Sequence, residues 1–124
     1  MAEIRVLVVD DDRSVSRVVA SILKDRGYTV DVADDGKSAL DLVAQNHYLL
    51  AVLDYQMPGM DGVEVFQKAR ELQPELLGIF LTAYANLNTV FPAIDAGIER
   101  VLSKPPSSGE LIPAIEELLG PSRA

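Results

Sequence analysis

Apolar residues gather into four short runs: Ile4 to Val9 (IRVLVV), Leu49 to Leu53 (LLAVL), Leu76 to Leu81 (LLGIFL) and the pair Val101-Leu102. Near-continuous runs of this kind suit strands covered on both faces. A fifth stretch, Tyr28 to Val32 (YTVDV), alternates apolar with polar residues, as a strand with one wetter face does near a sheet edge. Between these runs the period changes to that of a helix. Arg13 to Arg26 places Val15, Val18, Val19, Ile22 and Leu23 on one stripe, and Gly27 supplies the stop. Gly36 to Asn46 carries Ala39, Leu40 and Val43 on one face. Asp61 to Leu72 carries Val65, Phe66, Ala69 and Leu72, with Pro74 just beyond. Asn88 to Ala96 and Ser108 to Leu119 complete the helical set. Pro92 and Pro113 fall inside these last two, where a missing N–H and a ring clash predict shortening or a kink.

Strand and helix thus alternate about five times with no composition shift, repeat or low-complexity linker, which predicts one α/β domain with a parallel sheet and right-handed crossovers. A chain of 124 residues suits a single core. Eleven basic against nineteen acidic residues give a net charge of −8, which argues against direct nucleic-acid binding or an anionic membrane surface. There is no cysteine, so disulfides, thiolate metal sites and thiol catalysis are excluded. With no long apolar span and no signal-peptide pattern at MAEIRVLVV, the expected location is the cytoplasm.

The residues that close successive apolar runs are Asp10-Asp11, Asp54, Thr82 and Lys104. In an open parallel sheet the carboxyl ends of the strands share one rim, where ligands sit at the switch in strand order. That rim should therefore gather three carboxylates, a hydroxyl and an ammonium. Clustered carboxylates repel, and a cation relieves them. An all-oxygen set favours a hard ion such as Mg²⁺ (or Mn²⁺). A lysine and a hydroxyl beside such an ion suit an anionic group with several oxygens, and a phosphoryl group fits, with Asp54 as its nucleophile.

In this order and at these strand ends, VLVVDDD, LDYQMPGMDG, LTA and SKP make the sequence resemble a receiver domain of the two-component response regulator family. The matching pieces run from residue 6 to residue 105, so the likeness covers nearly all of the chain. It implies a flavodoxin-like (βα)5 fold, with a five-stranded parallel sheet in order 2-1-3-4-5 and helices on both faces. One receiver domain would fill residues 1–124, with a core over about 4–119 and no output domain in view. By the same likeness Asp54 is the phosphoacceptor. Asp11 is a direct metal ligand, Asp10 acts through water, and Gln56 contributes its backbone carbonyl. Thr82 and Lys104 contact the phosphoryl oxygens, and the Lys104-Pro105 bond is expected to be cis.

Family likeness further implies a phosphoryl donor, either a histidine kinase or a histidine phosphotransfer protein. The recipient of the signal would be a downstream protein or a fused output domain, with a homodimer also open. The chain would be a signalling phosphoacceptor whose only catalysis is of its own phosphorylation and slow dephosphorylation. It departs from the pattern at Val101, where the family's usual switch residue is aromatic, and Pro106 replaces a frequent Phe. Tyr84 could act as the moving ring or shield the aspartyl phosphate from water, and Gln56 and Tyr84 occupy the two variable positions that, in the family, tune its lifetime.

Two other functions stay open. A haloacid-dehalogenase-like phosphatase would also use an aspartyl nucleophile, but it needs an acid where Gln56 stands. A phosphate-independent docking module could keep the fold without the chemistry. Asp12 should begin a helix as a cap or first-turn acid. Pro58, Gly59 and Gly62 should let the backbone turn sharply after Asp54. Met57 and Met60 should pack, since Mg²⁺ avoids thioethers. His47, the sole histidine, belongs in a loop away from the rim.

Overall fold

A computed structural model describes residues 3–83 and 94–120. Five strands run through it: β1 (Arg5–Val9), β2 (Thr29–Ala33), β3 (Leu50–Asp54), β4 (Leu77–Thr82) and β5 (Arg100–Ser103). All pair in parallel, in the order β2-β1-β3-β4-β5. Four helices lie among the described residues: α1 (Arg13–Asp25), α2 (Gly36–Gln45), α3 (Gly62–Leu72) and α4 (Ser108–Leu119).

The predicted order holds, and most strands begin and end one residue later than the apolar runs. The alternating stretch is an edge strand, as its pattern implied. Every residue of the central β3 is buried. Successive side chains of a strand point to opposite faces, so the sheet separates two apolar layers. Leu7, Val9, Leu53 and Phe80 meet α2 and α3 through Ala39, Val43, Val65 and Phe66. Val6, Val8, Val52 and Ile79 meet α1 and α4 through Val19, Leu23, Leu111 and Ile115.

Aspartates begin the first three helices. Asp12, Asp35 and Asp61 are N-caps whose carboxylates accept the amides of Ser14, Ser38 and Glu64, satisfying donors that a helix start leaves open. Asp61, predicted inside α3, is thus its cap. Gly27, at φ 89°, ends α1: Tyr28 N–H donates to Leu23 and Gly27 N–H to Lys24, the paired bonds of a Schellman stop.

Three expectations change. Pro113 neither shortens nor ends α4, which runs unbroken from Ser108 to Leu119. The proline is exposed, while Leu111, Ile112, Ala114 and Ile115 anchor the helix on its other side. Val18 and Leu72, assigned to apolar stripes, are exposed; Val18 lies at the margin of its stripe, and Leu72 is the last residue of α3. The helix predicted over 88–96, with Pro92, lies almost wholly outside the described residues, as does Tyr84.

Candidate functional site

Register brings the polar strand ends together. Val9 is level with Leu53, Asp54 with Leu81, and Thr82 with Ser103. Past each strand the ladder continues for one more bond: Asp10 N–H to Ala33, Tyr55 N–H to Leu81 and Lys104 N–H to Thr82. The backbones that carry Asp10, Asp54, Thr82 and Lys104 are therefore fixed by the sheet. Asp10, Asp54 and Thr82 are all buried.

Asp10, Asp11 and Asp54 each offer a carboxylate oxygen within 4.8 Å of the others. Asp11 is exposed, so the cluster opens to solvent on its side. Lys104 Nζ lies between the two buried acids, 3.2 Å from Asp10 Oδ2 and 3.3 Å from Asp54 Oδ2. It also donates to Asp10 Oδ1 at 3.4 Å. Asp10 Oδ1 further accepts Asp12 N–H at 2.9 Å, while its fully buried Oδ2 is held by the ion pair with Lys104.

Two buried carboxylates thus share one ammonium. Burial, followed by the charge of Asp10, pushes the Asp54 carboxyl up to about 6, against the opposing pull of Lys104. Burial pulls the Lys104 ammonium down, but Asp10 and Asp54 outweigh it and hold the group above its ordinary value. Asp54 is consequently ionised at neutral pH, close to its point of protonation, and held beside a cation.

Gln56 is exposed, and its N–H reaches Asp54 Oδ1 at 3.3 Å. Gly59, at φ 85°, supplies the turn after Asp54. Gly62 has no such φ and is instead the first residue of α3. Met57 is core and Met60 packs against it, as expected of thioethers in this loop. Val101 pairs with Phe80 and packs, half-buried, against the α2–α3 layer. His47 is exposed, in the loop before β3. The Lys104-Pro105 bond is cis.

Asp12 does more here than its letter suggested. Its side chain starts α1 while its N–H orients Asp10. The only sequence signal for this is an acid two residues before a backbone donor, the spacing of an Asx turn.

Comparison with known proteins agrees with this geometry. Residues 6–116 match the model of the response regulator receiver domain. Response regulator MprA of Mycobacterium sp. (strain KMS) is 40% identical over 116 residues, which are 94% of this chain and 50% of that protein. The chain therefore spans about half the length of the curated relatives it matches. A CheY-like receiver domain from Methanospirillum hungatei JF-1 superposes with a TM-score of 0.87 at 31% identity, covering 94% of this chain and 93% of that one. CheY4 of Vibrio cholerae superposes with a TM-score of 0.90 at 28% identity, covering 95% of this chain and all of that one. A Burkholderia pseudomallei response regulator with a phosphorylated aspartic acid and a calcium ion superposes at 0.83 and 26% identity, covering 94% and 66% of the two chains. The chain belongs to the response regulator receiver family of two-component systems and has its CheY-like fold.

Proposed function

We propose that Asp54 accepts the phosphoryl group, from a phosphohistidine on a histidine kinase or histidine phosphotransfer protein. One Asp54 carboxylate oxygen forms the O–P bond as the N–P bond of phosphohistidine breaks. The imidazole nitrogen keeps the electron pair and takes a proton from water. The observation that carries this reading is Lys104 Nζ within 3.3 Å of both Asp10 and Asp54, at the carboxyl end of the sheet.

A hard dication fits the same residues. The donors are all oxygen, three carboxylates converge, and the two buried ones share a single ammonium. Mg²⁺ or Mn²⁺ would be held by Asp11 and Asp54, by Asp10 through water, and by the Gln56 backbone carbonyl. When bound, it offsets the charge of the carboxylates and of the incoming phosphoryl oxygens. Lys104 and Thr82 take the remaining phosphoryl oxygens, Lys104 by exchanging part of its pairing with Asp54. The resulting change of charge biases the surface beside β4 and β5 toward its signalling form. With Val101 in the usual aromatic place, ring rotation at that position cannot be the readout, and Tyr84 serves either as the substitute ring or as the shield of the phosphate. The recipient is a protein target or an output domain, and the module works in the cytoplasm without touching nucleic acid. Among the described residues no helix is long and apolar enough to cross a membrane.

The test is acetyl phosphate with Mg²⁺, read by intact mass. One phosphoryl increment is expected on the native chain and none on Asp54→Asn. An equal increment on both, or none on either, rejects the assignment. Turnover of phosphate monoesters would favour a phosphatase. Identical beryllofluoride responses in the two proteins would favour a docking module.

A further inference from the structure

Gly62 opens α3, is buried, and has no left-handed φ that would explain a glycine there. The explanation is space. A Cβ on Gly62 would stand 2.3 Å from the backbone oxygen of Asp54 and 3.2 Å from its carbonyl carbon and from Tyr55 Cα. The first distance is roughly 1 Å short of an ordinary C···O contact. The atoms in the way are backbone, unlike those around Gly78, whose Cβ would meet the Phe66 and Ile98 side chains at 2.5 and 2.6 Å.

What would yield to such a Cβ is decided by what holds each neighbour. Asp54 is a buried strand residue level with Leu81, and Tyr55 N–H continues that ladder to the Leu81 carbonyl. On the other side α3 is fixed through Val65, Phe66 and Ala69, all buried in the core. Residues 55–61 between them belong to neither strand nor helix. They are closed by Gly62 N–H donating to the Tyr55 carbonyl at 3.0 Å, and they carry Gln56. Strain placed at Gly62 therefore falls on that segment.

We propose that Gly62 is a positioning residue for the metal-binding side of the site. Its missing side chain lets the start of α3 rest on the carbonyl of Asp54, and this contact sets where residues 55–61, and hence Gln56, stand relative to the carboxylates. The proposal rests on the Mg²⁺ reading above.

The experiment compares the native chain, Gly62→Ala and Gly78→Ala by Mg²⁺ titration followed in amide shifts, alongside urea unfolding. Gly62→Ala should weaken Mg²⁺ binding about ten-fold or more while remaining folded, in the range seen when groups supporting metal ligands are altered. Gly78→Ala should lose stability but leave the Mg²⁺ affinity of its folded fraction unchanged. Native affinity in Gly62→Ala, or an equal loss in both variants, overturns the proposal. A native chain that ignores Mg²⁺ overturns the reading beneath it, and is seen before any variant is made. Should Gly62→Ala not fold, hydrogen exchange in the native chain decides. Mg²⁺ should slow the Gly62 amide more than the Gln73 amide, which donates to Ala69 at the far end of α3; equal slowing overturns the proposal.

Discussion

Two acid clusters sit on the same sheet and balance in opposite ways. On β2, Asp31 Oδ2 accepts from both Tyr48 Oη at 2.7 Å and Arg5 Nη1 at 2.9 Å. One acid has two donors. Burial raises the Asp31 carboxyl, but the bonds from Tyr48 and Arg5 outweigh it and leave the group below its ordinary value. At the rim, two buried acids share Lys104, and Asp54 is pushed up to about 6. The Asp31 cluster is complete as it stands and needs no ligand. The rim holds surplus negative charge in a place where burial makes it costly, and a cation or a proton relieves that cost. Perturbed carboxylates of this kind mark chemistry, whereas satisfied ones mark architecture.

The largest effect should come from deepening the imbalance. Lys104→Met leaves Asp10 and Asp54 facing each other without a counter-charge, and should cost about 3 kcal/mol of stability at neutral to alkaline pH without added metal. Urea unfolding should show much of that loss returning in mild acid, as Asp54 takes up a proton; a loss below about 1 kcal/mol, or one independent of pH, would erase the contrast.

Next comes the balanced cluster. Asp31→Asn should lose about 1–2 kcal/mol near neutral pH. Because the folded Asp31 carboxyl is lowered, its contribution is full above the ordinary carboxylate range near pH 4 and is lost as pH falls through the folded value. The native and variant curves should therefore converge in acid.

The smallest effect has the opposite sign. With chelator present, Asp54→Asn should gain on the order of 1 kcal/mol at neutral pH. The folded carboxyl is raised, so native stability falls as pH rises from about 4 to about 6, and the variant should lack that fall. Parallel pH profiles for native and variant chains would mean that Asp54 is as comfortable as Asp31.

Most of the fold was legible because β1, β3 and β4 are covered on both sides, so burial alone dictates their letters. The strand around Val101-Leu102 showed only two apolar residues because β5 is an edge whose end residues are exposed. Pro113 misled because a local rule was set against a helix held by four buried side chains. At the rim, strand ends placed the right residue types side by side, since register follows from the parallel order. Long-range pairings were not legible. Nothing in the letters tied Asp31 to Tyr48, seventeen positions away, or showed that the Gln73 amide would bond Val43, Asn46 and Tyr48 at the opposite end of the sheet. Such bonds are chosen by packing, which no periodicity records. The close approach of Gly62 to Asp54 was hidden for the same reason, because a glycine in a turn-rich stretch already has a local explanation.

Asp12 belongs to the rim through its amide and to α1 through its carboxylate. A thirteen-residue helix is a stiff rod of about 20 Å. The carboxylate of Asp10 is therefore braced by the start of that rod as well as by its own strand, which leaves it little freedom to turn away from the rim.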